Sequence, residues 1–279
     1  MKRTGRSTPS AIRPSRASLA WALAGVLLGS VLALVAFAPA AWLADAIGRA
    51  SGGRFLLAEA QGSVWTGSAV PVLTGGADSR DAMALPGRLQ WKLRPRLRPS
   101  PGFELKASQA CCLNGELRLR IEPRLNGLKV TVPASAGALG QWPAAWLAGL
   151  GTPWNTLQLG GSISLATPGL EIDTAGGRLK YSGRADVDLR QISSRLSTLD
   201  ALGSYRLVLG GDPAGKDTAL LTLSTTEGSL RLTGGGQWSP AKLRFRGDAR
   251  AAEGSEAVLN NLLNIIGRRQ GALSIISIG

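Results

Sequence analysis

Along most of the chain, apolar and polar residues alternate at every second position, the period of a strand with one face turned to a core. One short pattern recurs: glycine, any residue, apolar, any residue, apolar. It appears as Gly87-Arg-Leu-Gln-Trp91, Gly115-Glu-Leu-Arg-Leu119, Gly161-Ser-Ile-Ser-Leu165, Gly177-Arg-Leu-Lys-Tyr181, Gly203-Ser-Tyr-Arg-Leu207 and Gly228-Ser-Leu-Arg-Leu232. Each reads as a turn glycine releasing a two-faced strand. The irregular spacing excludes a fixed-period solenoid. Period-2 alternation also covers residues 125–132, 220–224 and 243–249.

Two segments change period. Residues 138–150 hold Trp142, Trp146 and Leu147 at helical spacing. Residues 255–266 read as an amphipathic helix, capped by Ser255, with a stripe of Val258, Leu259, Leu262, Leu263 and Ile266 and an end at Gly267. Residues 273–278 read as a terminal strand. With few runs suited to crossover helices, the pattern predicts an all-β domain: a curved, mainly antiparallel sheet with one or two helices.

The first forty residues obey a different rule. Residues 19–38 carry no charge, and a mainly apolar run of twenty residues matches the ~30 Å hydrocarbon thickness of a bilayer. Trp21 and Trp42 stand near its two ends, and Gly25 and Gly29 form a small-xxx-small pair suited to packing against another helix. Lys2, Arg3, Arg6, Arg13 and Arg16 precede the run without an acid among them, which by the positive-inside rule keeps the N-terminus cytoplasmic. The expected organisation is a basic cytoplasmic tail (1–18), a single-pass transmembrane helix (19–38) and a periplasmic β-rich domain (39–279), tethered to the inner membrane. The competing reading is a cleaved signal peptide, since Ala36-Phe37-Ala38 is an A-x-A pattern. The apolar run exceeds the roughly 7–15 residue apolar region of a signal peptide, and Pro39 would follow the cut.

Composition removes several chemistries. The chain has no histidine, so it lacks the commonest general base and metal ligand. Its two cysteines, Cys111 and Cys112, are adjacent and too few for a four-ligand Cys/His zinc or iron–sulfur site. On an extended strand they would point to opposite faces. A vicinal disulfide, a bond to a partner chain and two free thiols all remain open. Net charge is +14, from 32 basic and 18 acidic residues. That excess suits anionic headgroups or an acidic partner, and the anchor argues against nucleic acid.

The other candidates have plainer readings. Gly210-Gly-Asp-Pro-Ala-Gly-Lys-Asp-Thr218 nearly spells a phosphate-binding loop, but Asp217 stands where Ser or Thr should bind magnesium, and a strand follows; a hairpin turn is preferred. Glu171 with Asp173, and Asp186 with Asp188, share strand faces and read as solvated charges rather than a calcium or acid/base pair. The dense run Arg88, Lys92, Arg94, Arg96 and Arg98 reads equally as a strand's polar face with an exposed loop, or as a patch for headgroups or an acidic subunit. No cofactor is implied.

Specific residues resemble a known family. Gly62-Ser-Val-Trp-Thr-Gly67 and Gly87-Arg-Leu-Gln-Trp-Lys-Leu-Arg-Pro95 resemble the start of the periplasmic part of type II secretion system protein N. The second half resembles it further, in Leu202-Gly-Ser-Tyr-Arg-Leu207, in Thr222-Leu-Ser-Thr-Thr-Glu-Gly-Ser-Leu-Arg-Leu-Thr-Gly234 with Gly236 and Trp238, and in Leu262-Leu-Asn-Ile-Ile-Gly-Arg268. The resemblance implies a non-enzymatic inner-membrane component of the machine that exports folded proteins, partnered by other inner-membrane subunits. It brings no active-site residues with it. The rival reading is a periplasmic lipid-binding or lipid-transfer sheet, because an apolar core and an apolar lipid groove produce the same alternation.

Overall fold

The structure is a computed structural model that describes residues 16–176, 178–211, 218–239 and 242–279, with side chains from residue 20 onward except at 175 and 178. It divides into two compact units, Met1–Ala38 and Pro39–Gly279. In the first, α1 (Arg16–Ala36) is a 21-residue helix. Taken over the described residues, no helix is long and apolar enough to cross a membrane. The described side chains of α1 are exposed all round, including Trp21, Leu27 and Leu32.

The second unit opens with α2 (Ala40–Ala50) and continues as strands. These are β1 (Phe55–Gly62), β2 (Thr66–Thr74), β3 (Ala82–Ala84), β4 (Leu89–Arg96), β5 (Gly102–Ser108), β6 (Leu117–Arg124), β7 (Gly127–Val132) and β8 (Gly140–Pro143). A 3-10 segment (Ala144–Leu150) and α3 (Trp154–Leu157) lead into the two longest strands, β9 (Leu159–Ala175) and β10 (Arg178–Ser194). Then come β11 (Gly203–Gly211), β12 (Ala219–Gly228), β13 (Leu230–Trp238), β14 (Leu243–Ala251), α4 (Glu256–Ile266), β15 (Arg268–Gln270) and β16 (Leu273–Ile278).

The sixteen strands of the described residues form one sheet in the order β1-β2-β4-β5-β6-β7-β9-β10-β11-β12-β13-β14-β16-β15, with β3 on β2 and β8 on β9. Every pairing is antiparallel. The sheet is thus an open meander in which, apart from the short strands β3, β8 and β15, neighbours in sequence are neighbours in space. That topology needs only short turns, and the glycines supply them. Gly87, Gly115 and Gly228 hold φ of 78°, 86° and 119°, where a Cβ is disfavoured. Gly161 differs: it lies inside β9, at a bulge where the register with β10 slips, and not ahead of the strand. Gly177 lies outside the described residues.

Three packed clusters bury the apolar face. Near the start, α2 covers Leu57, Ala69 and Trp91. In the middle, Ala144 packs with Ile192 and Tyr205. Near the end, Leu259, Leu262 and Leu263 of α4 pack with Leu157, Leu202, Leu230 and Ala249. The helix predicted over 138–150 is instead β8 followed by the 3-10 segment. Trp142 pairs into the sheet opposite Ile163, while Trp146 donates its indole N–H to the Met83 carbonyl at 2.9 Å. Gly149 packs so closely that a Cβ there would strike the Leu73 carbonyl. The amphipathic helix is observed as α4, with corrections at three positions. Ser255 makes no side-chain cap bond, and Gly267 ends the helix in extended rather than left-handed geometry. Val258 is exposed and outside the buried stripe.

Candidate functional site

Directly opposed residues share a sheet face, so the register sorts the side chains into two surfaces. One row reads Phe103, Ile121, Val130, Ile172 and Tyr181 across β5, β6, β7, β9 and β10. The next row, on the other face, reads Glu122, Lys129, Asp173 and Lys180. One surface is therefore almost wholly apolar and the other ionic. The clusters above cover only parts of the apolar surface. Leu93, Leu105, Leu119, Val130, Ile172, Leu207, Leu221 and Phe245 remain half-buried.

The ionic surface explains the carboxylate pairs. Glu171 meets Lys129 at 2.8 Å and Asp186 meets Arg184 at 2.8 Å. Asp188 takes Arg206 Nε at 2.7 Å and raises the affinity of that guanidinium for its proton. Glu122 accepts from the Ser100 hydroxyl, and that bond, with Lys129, Arg124 and Arg96 nearby, holds its carboxyl below the usual range. Glu116 is lowered likewise, first by its bond with Lys106. Among the described residues, no group of three potential ligands could hold a metal. Glu171, Asp188 and Glu116 tie neighbouring strands together, while Asp186 pairs along its own strand.

The basic run is dispersed by the fold. Arg88 is a clasp: it donates Nε to Ser68 Oγ at 3.1 Å, Nη1 to Glu59 Oε2 at 3.1 Å and Nη2 to the Glu59 and Ser68 carbonyls. It therefore does not belong to a free contact patch. Lys92 and Arg94 lie on the ionic face of β4. Arg96 donates Nε to the Arg98 carbonyl at 2.6 Å, shaping the β4–β5 turn, and Arg98 projects from it, exposed.

Cys111 and Cys112 are joined to each other, with Cα atoms 3.7 Å apart, in a turn rather than on a strand. Cys112 is buried and its carbonyl accepts from the Gln141 N–H at 2.8 Å, so the loop is seated on β8. Gly25 and Gly29 lie on α1, and a Cβ at either would meet nothing within 4 Å. The glycine-rich near-match to a phosphate loop has residues 212–217 outside the described residues. Its flanks, Gly211 and Ala219, are paired ends of an antiparallel hairpin, not a strand leading into a helix.

One feature of the ionic surface escaped the sequence reading. Arg231 on β13, Arg244, Arg246 and Arg250 on β14, and Arg268 on β15 all lie on that face. The alternation in Leu243-Arg-Phe-Arg-Gly-Asp-Ala-Arg250 held the signal.

Neither a curated protein nor a solved structure matches the chain. A family model does, over residues 54–275, from the residue before β1 into β16, which takes in nearly the whole sheet and α4. That family is type II secretion system protein N, and the chain belongs to it.

Proposed function

We propose that this type II secretion component works at the inner membrane, held there by α1, with Pro39–Gly279 in the periplasm assembling or stabilising the inner-membrane platform. Family membership over nearly the whole sheet carries this reading. The anchor rests on twenty uncharged residues behind five basic ones. The work is binding: Glu171, Asp186 and Asp188 are held in ion pairs, and the broad ionic face suits a protein surface. A pull-down of the full chain from membranes, with mass spectrometry of proteins and lipids together, tests it. Co-recovery of other platform subunits is expected; their absence, with the chain intact and membrane-bound, would sink the reading.

The half-buried apolar surface favours a second reading, a sheet that cradles acyl chains. Lipid recovered with the chain, together with free exchange of the anchor for an unrelated helix, would favour it over assembly.

A further inference from the structure

The ionic face obeys a rule over most of its breadth. Where strands meet, opposite charges stand opposite each other, as in the row Glu122, Lys129, Asp173 and Lys180. Like charges meet in the row Lys92, Lys106 and Arg118, where Glu116 reaches Lys106 and Arg118 at 3.2 and 2.9 Å. At the β13–β14 end like charges meet with no carboxylate paired to either, among the described residues. Arg231 stands directly opposite Arg250, and like charges so placed oppose pairing. Arg244 and Arg246 follow on the same strand face, and Arg268 lies two strands away. All five are exposed. Asp248 is the carboxylate among them, and it is engaged by the Thr233 hydroxyl at 2.7 Å. Among the described residues, none of the five arginines forms an ion pair.

We infer that this patch is a docking surface for an acidic protein segment lying extended across β13 and β14, with carboxylates at alternate positions. Three observations select that occupant. Every cation of the patch is arginine, whose planar fork pairs with a carboxylate through two parallel bonds. Arg244 and Arg246 are two residues apart on one strand, roughly 7 Å, the repeat of alternate side chains on an extended peptide. Toward β12 the neighbours on this face are Thr222, Thr233 and Gln237, with Leu220 opposite Gln237; Leu273 and Ile275 on β16 form a narrow apolar margin on the other side, and these three residues are too few to insert into a bilayer. Gly235 opposite Arg246 leaves the space above the strands open to a chain. The inference deepens the assembly reading, naming a partner's chemistry, and rests on it for the partner being a subunit.

The test uses the full chain in phosphatidylcholine nanodiscs and a labelled peptide alternating glutamate with threonine. A peptide of the same composition with its glutamates in one block is the comparison. The alternating peptide should bind more tightly, and salt should weaken it. Arg246→Glu with Arg250→Glu should weaken it by at least about tenfold, while the unfolding temperature holds or rises, because a carboxylate at position 250 would pair with Arg231. Arg246→Gln with Arg250→Gln should weaken it less. Arg94→Glu with Arg98→Glu, the same change in net charge, should leave it unaffected. Equal binding of the two peptides, equal loss in the β4 variant, or a lowered unfolding temperature in the β14 variants would overturn the inference. So would phosphatidylglycerol vesicles that bind through these arginines while the peptide does not. Peptide binding tests the patch, and subunit recovery tests the assembly reading, so each can fail alone.

Discussion

Tyr205 on β11 reaches across β12 and donates its hydroxyl hydrogen to the carbonyl oxygen of Leu230, at the start of β13, at 3.1 Å. Both residues are buried. The bond fastens three strands where the middle and last core clusters meet. Burial raises the phenol's pKa well above its ordinary 10.0. Because the folded value is raised, the stability tied to the neutral phenol is fully present below pH 10 and is lost as pH climbs beyond it. Tyr205→Phe should cost about 1–3 kcal/mol at neutral pH, by leaving a buried carbonyl unpaired, and should flatten the alkaline part of the stability profile. Urea unfolding at neutral pH and between about pH 9 and 11, bracketing the ordinary tyrosine value, measures both effects.

α4 and its stripe give a packing test. Leu262 is buried against the sheet, and Leu262→Ala should cost about 2–5 kcal/mol through lost contacts and the cavity left behind. Val258, one turn earlier, is exposed, and Val258→Ala should stay within about 0.5 kcal/mol. Comparable losses at both positions in chemical denaturation would contradict this placement of the helix.

The basic run separates into two behaviours. Arg88→Ala strips several hydrogen bonds from the β1 bulge and should cost about 1–3 kcal/mol. Arg94→Glu with Arg98→Glu should leave stability within about 0.5 kcal/mol and weaken binding to anionic liposomes, with salt weakening the parent's binding. Unchanged liposome binding would leave Arg94 and Arg98 as a solvated face.

For the cysteines, thiol titration of the unfolded, unreduced chain should find none free, and reductant should release both without altering apparent mass on a gel. A dimer that reductant dissolves would mean pairing between chains instead.

Under the proposed function α1 is the anchor, and it carries Gly25 and Gly29 one turn apart, where an added Cβ would meet nothing within 4 Å among the described residues. Gly25→Leu with Gly29→Leu should reduce co-recovery of platform subunits and leave membrane fractionation unchanged. Full recovery would show that the pair does not serve helix packing.

Local rules made much of this chain legible before any coordinates. Alternation along 243–249 and 220–224 appears as β14 and β12, and the glycines before 88, 116 and 229 hold left-handed φ. The stripe in 255–266 is α4. These signals are legible because a turn or an amphipathic period needs only residues close in sequence, and an antiparallel meander places sequence neighbours side by side. The family was legible for the same reason, since its motifs are turn glycines and the strands they release. Register across strands was not legible. Whether Arg88 is a free cation or a clasp depends on Ser68 and Glu59, twenty and more residues away. Whether Arg231 meets a carboxylate or another arginine depends on which residue of β14 lies opposite it. The extent of the apolar face left uncovered depends on where α2, the 3-10 segment and α4 dock. Those outcomes belong to tertiary structure, because a single period-2 pattern fits many pairings, and only the closed set of strand contacts selects one.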